Sequence, residues 1–341
     1  MKQEKLIKYW LLTGLIMTLV QVLLGGITRL TGSGLSITEW KPILGFLPPL
    51  NEAEWQIAFQ KYQTIGQYKH LNNYFTISDF KFIFFWEYFH RLWARTIGMV
   101  FALPFLYFLV KKSFTTTQIK SLVWIFILGG FQGAIGWIMV KSGINETSLY
   151  VDHFKLCLHF STAMLLVALL WKFYIQYAFP TIKYSFSSKI NQLLIVLISL
   201  LFVQLCYGAF MAGLHAGPTA PRWPLLSPTS IFPEGGDEWG IFKWINHPQS
   251  VQFVHRGFAY VLCLLCIYWY TQLKNTTLPT YIKIIPVFFV ILQTLLGIVT
   301  VMYSPFQHLL LIFGVLHQFV AMLFWMALTG IYFVSEKVNS K

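Results

Sequence analysis

Residues 192–213 read QLLIVLISLLFVQLCYGAFMAG, 22 positions without a charged side chain. A helix of about 20 apolar residues crosses the ~30 Å hydrocarbon core of a bilayer, and seven other stretches share this length and character. The eight predicted spans cover approximately residues 9–27, 82–110, 121–140, 154–174, 192–213, 251–271, 281–303 and 309–334. These runs are too long and too uniformly apolar for barrel strands. The sequence therefore predicts an all-α polytopic membrane protein.

The distribution of charge predicts how the chain crosses the membrane. The 341 residues carry a formal net charge of +13, and only 11% of them are charged. If the N-terminus is cytoplasmic, the inner segments hold 13 of the 25 basic residues, Lys337 and Lys341 among them, and only two of the 12 acidic residues. This excess predicts that both termini are cytoplasmic, and it explains the basic composition without nucleic acid. The segment before the first span is too short for an organellar transit peptide, and no small-residue cleavage pattern follows the span. Both features favour a bacterial plasma (inner) membrane over an organelle.

A weak internal repeat relates the first four spans to the last four. Odd-numbered spans carry a Gln-x-x-x-Gly pair, at Gln21 and Gly25, Gln132 and Gly136, Gln204 and Gly208, and Gln293 and Gly297. We interpret each pair as a helix-packing feature, because a small residue permits close approach and an amide can bond across helices. Even-numbered spans carry histidines, with His90 and His255 165 positions apart and His159 and His317 158 apart. The repeat predicts two pseudo-symmetric four-helix bundles of the same orientation, residues 1–183 and 184–341.

Each bundle would contain two histidines on different helices, about five to eight residues from the predicted outer end. Ionisable residues inside a membrane are costly and are functional candidates by default. The open alternatives are a proton relay, a small metal ion and a haem. Zinc ordinarily needs further thiolate or carboxylate ligands, whereas haem iron accepts two axial imidazoles and the porphyrin fills the space between helices. Two haem sites therefore fit best.

The residues around the histidines differ between the halves. The segment FWEYFHRLW at 85–93 aligns with QFVHR at 252–256, so that Glu87 stands opposite Gln252. A carboxylate one helical turn from its histidine can stabilise positive charge or move protons, which an amide cannot. Alternatively, Glu87 forms a salt bridge with Arg91 four positions on. Arg91 and Arg256 could each pair with a haem propionate or extend to lipid headgroups.

Several motifs together resemble the haem A synthases, the COX15-CtaA family. They are EYFHR at 87–91, GGITRLTGSGLS at 25–36, WKPILGFLPP at 40–49 and the four histidines at these intervals. The resemblance covers essentially the whole chain, and the long first outer loop indicates the branch shared by Gram-negative bacteria and mitochondria. Some family members carry cysteine pairs in their outer loops. Here the four cysteines all fall inside predicted spans, so delivery of electrons or haem through such pairs is not expected.

The resemblance implies an oxidoreductase that converts a ring methyl group of haem O to a formyl group, which gives haem A for terminal oxidases. It implies that His90 and His159 hold the substrate haem O, that His255 and His317 hold a haem b cofactor, and that Glu87 is needed for the chemistry. The implied partners are the farnesyl-transferring synthase that makes haem O, an electron donor or acceptor, cytochrome oxidase assembly factors and the bilayer. A homo-oligomer is left open.

Two competing functions remain at this stage. A di-haem b-type electron-transfer protein, similar to cytochrome b561, would explain four histidines but not the difference between Glu87 and Gln252. A transporter with a histidine proton relay fits the repeat, but the histidines cluster near one face. We also expect the two long outer loops, residues 28–81 and 214–250, to lie on the membrane surface and cover the haem pockets.

Overall fold

The computed structural model describes residues 2–40 and 44–337. Positions 41–43 of the WKPILGFLPP motif lie outside the described residues, as does Lys341, one of the predicted inner basic residues. The described helices are α1 (Lys2–Leu30), α2 (Glu52–Gln63), α3 (Gly66–His70), α4 (Ile77–Val110), α5 (Thr116–Gly143), α6 (His153–Ala178), α7 (Ser188–Gly213), α8 (Lys243–Asn246), α9 (Pro248–Gln272), α10 (Thr280–Met302) and α11 (Gln307–Phe333).

Within these described residues, eight helices are long and apolar enough to cross a membrane, namely α1, α4, α5, α6, α7, α9, α10 and α11. They coincide with the eight predicted spans, so the predicted all-α membrane architecture is confirmed. Helices α4 and α5 each begin about one and a half turns earlier than the apolar stretch predicted. Thr76 and Asp79 form a capping box that starts α4, and Thr115 and Gln118 form another that starts α5. Such caps satisfy the free N–H groups of a helix start with polar side chains, which a hydropathy scan does not register.

The sequence did not predict a short parallel strand pair. Residues Tyr184–Phe186 (β1) align with Ser335–Lys337 (β2), with Tyr184 opposite Ser335. The hydroxyl of Ser335 donates to Oδ1 of Asn191 at 3.2 Å. The pair therefore fastens the segment after α11 to the linker before α7.

The chain forms two compact units, which we call the first unit (Ile16–Ala163) and the second unit (Met1–Leu15 with Met164–Lys341). In the second unit α7 packs on α9 and α11, and α10 packs on the same two helices, so a four-helix bundle closes. Two indoles tie the later part of α6 to this bundle. Trp171 Nε1 donates to the carbonyl of Met326 at 2.9 Å, and Trp325 Nε1 donates to that of Met164 at 3.0 Å. The division at 183/184 and the cytoplasmic placement of both termini stay predictions.

The first long loop has a hydrophobic core of its own. Tyr62 of α2 is fully buried and stacks on Phe80 of α4, with ring centroids 5.4 Å apart. The Tyr62 hydroxyl donates to Gln67 at 3.0 Å and accepts from Asn72 at 2.7 Å, and burial raises the pKa of Tyr62 to about 12. Gln67 in turn donates to the carbonyl of Gly32 at 3.3 Å. The loop is therefore a folded layer fixed to the start of α4, the helix that carries Glu87, His90 and Arg91.

Candidate functional site

Glycines make room for both histidines of the first unit. A Cβ added at Gly25 of α1 would lie 3.3 Å from Nε2 of His90, and one added at Gly136 of α5 would lie 2.9 Å from Cε1 of His159. His90 lies 13 residues after the start of α4, further than the expected five to eight, because the helix begins before its apolar stretch.

The second unit repeats this arrangement. A Cβ at Gly208 of α7 would lie 3.5 Å from Cε1 of His255, and one at Gly297 of α10 would lie 3.0 Å from Cε1 of His317. The His255 and His317 rings face one another, with centroids 6.4 Å apart and planes at 71°. At all four Gln-x-x-x-Gly pairs the group nearest the glycine is a histidine ring from another helix.

The spacing of the second pair suits a metal held between two imidazoles. A ligating imidazole nitrogen lies about 2.0 Å from a first-row metal, so two rings on opposite sides of one ion have centroids roughly 6 Å apart. Both His255 Nδ1 and His317 Nδ1 are buried without a hydrogen-bond partner among the described residues. Within residues 2–40 and 44–337, no group of three or more His, Cys, Asp or Glu side chains could hold a metal ion. Two axial imidazoles for one haem iron therefore fit this donor set, whereas a closed zinc site does not.

Glu87 is buried at the centre of a hydrogen-bond cluster. Its Oε2 accepts from the hydroxyl of Ser36 at 2.7 Å and from the backbone N–H of Ile37 at 2.8 Å. Its Oε1 accepts from Arg91 Nη2 at 2.5 Å, and the Glu87 residue is only 2% exposed. The alternative salt bridge to Arg91 is thus present. Arg91 also donates to the carbonyls of Ile37 and Glu39, so the whole cluster holds the start of the first outer loop against α4.

The corresponding cluster in the second unit holds its loop without a carboxylate. Gln252 Nε2 donates to the carbonyl of Ala220 at 3.1 Å, while its buried Oε1 has no partner among the described residues. Arg256 donates to four loop carbonyls, those of Ala220, Arg222, Pro224 and Leu225. Both His-Arg arginines are therefore loop clamps, and pairing of either with a propionate stays a prediction. The covering of the haem pockets by the outer loops also stays a prediction.

A family model described as cytochrome oxidase assembly protein, COX15-CtaA, matches residues 8–329. The chain belongs to the COX15-CtaA family. Among its curated relatives, a Flavobacterium johnsoniae protein named "Heme A synthase" is 37% identical over 337 residues, which cover 96% of this chain and 97% of that relative. A Brucella ovis protein of the same name is 37% identical over 346 residues, 97% of this chain and 94% of its own. The resemblance read from the motifs is confirmed.

Sequence reasoning missed two contributors to this COX15-CtaA site. Ser36 ends the GGITRLTGSGLS motif, and only the fold shows that its hydroxyl reaches Glu87. The glutamines of the Gln-x-x-x-Gly pairs were interpreted as packing residues, yet Gln132, Gln204 and Gln293 contact histidine rings. Their equal spacing from the glycines was the available signal, because a residue one turn from the glycine lies on the same helix face.

Proposed function

We propose that this protein is a haem A synthase of the bacterial inner membrane, an oxidoreductase that oxidises a ring methyl group of haem O to a formyl group. The observation that carries the proposal is the pair of facing histidines in the second unit and its counterpart in the first, within a chain whose curated relatives are named for this synthesis. Each pair offers two imidazoles packed against glycines, and haem iron accepts two axial imidazoles.

We assign the substrate haem O to His90 and His159 and a haem b cofactor to His255 and His317. The assignment rests on Glu87, which stands one helical turn from His90, whereas Gln252 stands at the same place before His255. Haem iron supplies the redox chemistry when it is bound. A di-haem electron carrier would use both pairs alike and leaves the carboxylate in one of them unexplained.

Glu87 is the proposed catalytic carboxylate, and its surroundings define what it can do. Three donors, Ser36 Oγ, Ile37 N and Arg91 Nη2, face the two oxygens, so the carboxylate is held in one orientation. Glu87 therefore supplies a positioned carboxylate on the histidine helix. The same bonds hold the outer loop in place, which excludes water from the site and strengthens electrostatic interactions inside it.

The partners follow from the reaction. A farnesyl-transferring synthase must supply haem O, a terminal oxidase and its assembly factors must receive haem A, and an electron donor or acceptor must serve the oxidation. The eight long apolar helices support an exchange of haem within the lipid bilayer.

The proposed function is tested by pigment analysis. The chain is expressed in a host that makes haem O but no haem A, and the membrane haems are extracted and separated by chromatography. We expect haem A with the parent chain and none with Glu87→Ala. Haem B and haem O alone with the parent chain would refute the synthase and favour the di-haem carrier.

A further inference from the structure

Three of the four histidine rings are held by a glutamine from a neighbouring helix. In the first unit, Gln132 Nε2 lies 3.2 Å from Nδ1 of His159 and donates to the His159 carbonyl at 2.6 Å. The hydroxyl of Thr162 donates to Oε1 of the same amide at 2.7 Å. Both ends of the Gln132 amide are therefore occupied, and the amide contacts both the ring and the backbone of one histidine.

The second unit has this contact at both of its histidines. Gln204 Nε2 donates to the His255 carbonyl at 3.0 Å and lies 3.5 Å from Nε2 of the ring. Gln293 Nε2 lies 3.2 Å from Nε2 of His317 and contacts the ring alone. In both pairs the other ring nitrogen, Nδ1, is buried and has no partner among the described residues. One ring nitrogen of each imidazole thus lies beside a glutamine amide, and the other is buried without a partner among the described residues.

The fourth pair departs from the pattern. Gln21 precedes Gly25 by one turn, and Gly25 contacts the His90 ring, so the spacing predicts the same bond. Within the described residues, however, the buried Oε1 of Gln21 has no partner, and no hydrogen bond joins Gln21 to His90. The His90 ring therefore packs beside Gly25, but no glutamine amide fixes the plane of this ring.

We propose that Gln132, Gln204 and Gln293 are positioning residues that fix the imidazole planes of three iron ligands, and that His90 is the ligand left free to turn. The inference rests on the proposed two-haem function. A histidine ring rotates about two side-chain bonds, and an amide packed against it favours one orientation. In two of the three cases the amide is itself anchored by a hydrogen bond to the carbonyl of the same histidine. Partners of this kind orient metal ligands, and their loss typically weakens metal affinity by about 10–100-fold.

The asymmetry distinguishes the tasks of the two sites. The site of His255 and His317 has both ligands fixed, which suits a resident haem. The site of His90 and His159 has one ligand fixed and one free, which suits a haem that must enter as substrate and leave as product. This assignment is independent of Glu87 and agrees with it.

Haem loss to excess apomyoglobin tests the inference in the purified full-length protein. The protein is made in a host that produces haem B but no haem O, so that both sites hold the same haem. We expect two phases of haem loss, of which His255→Leu removes the slow one and His90→Leu the fast one. Gln293→Leu should speed the slow phase about 10–100-fold. The matched control Gln21→Leu, at the same helix position but without a bond to a ring, should leave both phases unchanged.

A spectroscopic measurement separates orientation from general loosening. The electron paramagnetic resonance spectrum of a ferric haem responds to the angle between its two axial imidazole planes, here 71° for His255 and His317. Gln293→Leu should change this signal in the haem that it retains, and Gln293→Glu, which keeps a hydrogen-bonding group at the ring, should restore slow haem loss.

Unchanged slow loss and an unchanged signal in Gln293→Leu would overturn the inference, as would slower loss from the site of His90 than from that of His255. Haem A formation by the parent chain is measured separately in a host that makes haem O. If the parent forms no haem A but Gln293→Leu still speeds haem loss, the proposed reaction fails while the positioning role stands. If haem A forms and Gln293→Leu has no effect, the positioning role alone fails.

Discussion

Glu87→Gln replaces the carboxylate of the first unit with the residue that the second unit carries at the same place. The change keeps the size of the side chain and removes its charge. In the structure Glu87 accepts from Ser36 Oγ at 2.7 Å, from Ile37 N at 2.8 Å and from Arg91 Nη2 at 2.5 Å. An amide has one oxygen, so whichever way it turns, its NH2 group faces at least one of these donors.

The free-energy cost of Glu87→Gln arises because an NH2 group faces a hydrogen-bond donor and one bond is lost. A hydrogen bond to a charged group contributes about 1.5–3 kcal/mol, so the loss of one such bond should weaken loop docking by roughly one to two orders of magnitude, at 1.4 kcal/mol for each factor of ten. Ser36→Ala also removes one hydrogen bond to the carboxylate, at a similar cost of about 1.5–3 kcal/mol, but it leaves the carboxylate, the Ile37 bond and the Arg91 pair in place. The two variants therefore separate the charge of Glu87 from its role as a loop anchor.

Two measurements are made on both variants. Haem A is extracted and quantified from membranes of a host that makes haem O, and hydrogen exchange at the Ile37 amide reports loop docking. We expect Glu87→Gln to form no haem A above background and to exchange faster at Ile37. Ser36→Ala should loosen the loop to a similar degree and still form haem A, because it keeps the carboxylate. Parental haem A formation by Glu87→Gln would refute a catalytic charge, and equal losses in both variants would reduce Glu87 to a loop anchor.

Three further predictions concern the glycines beside the histidines and the two outer loops. Gly136→Ala places a Cβ 2.9 Å from His159 Cε1 and should lower the haem content of the purified protein, whereas Gly208→Ala, at 3.5 Å from its histidine, should keep it; equal haem contents would contradict the role of close approach. Burial raises the pKa of Tyr62 from 10.0 to about 12, so the stability that the neutral phenol contributes is complete below pH 10 and is lost as pH rises through about 12. Thermal unfolding should show this alkaline loss in the parent and less of it in Tyr62→Phe, and identical pH profiles would count against it. Arg256→Lys has one ammonium group in place of the guanidinium and cannot donate to all four carbonyls, so hydrogen exchange at the amides of residues 220–225 should become faster. Unchanged exchange would show that the Arg256 bonds are not needed to hold the loop.

Hydropathy located all eight spans because an apolar run long enough to cross the bilayer has few other uses in a folded chain. The starts of α4 and α5 were placed late, since Thr76 and Thr115 cap their helices with polar groups that no apolar window includes. The three-residue strands at 184–186 and 335–337 are too short and too distant in sequence to leave a pattern.

The candidate site was predictable where it repeats. His90, His159, His255 and His317 were found by their matched offsets, and Glu87 by its failure to recur. The contacts of Glu87 could not be predicted, because Ser36 and Ile37 lie about 50 positions away and reach it only when the loop folds back. A repeated sequence also concealed a difference, since identical Gln-x-x-x-Gly spacing gives a histidine contact in three pairs and not at Gln21.

The most direct test of the account is the haem composition of two histidine variants purified from a host that makes haem O and no haem A. The parent should contain haem B together with haem A. His90→Leu should retain haem B and contain no haem A, because only the substrate site is lost, while His255→Leu should lose the bound haem B. Haem A in His90→Leu at the parental level, or retention of the b-type spectrum in His255→Leu, would contradict the assignment of substrate and cofactor to the two histidine pairs.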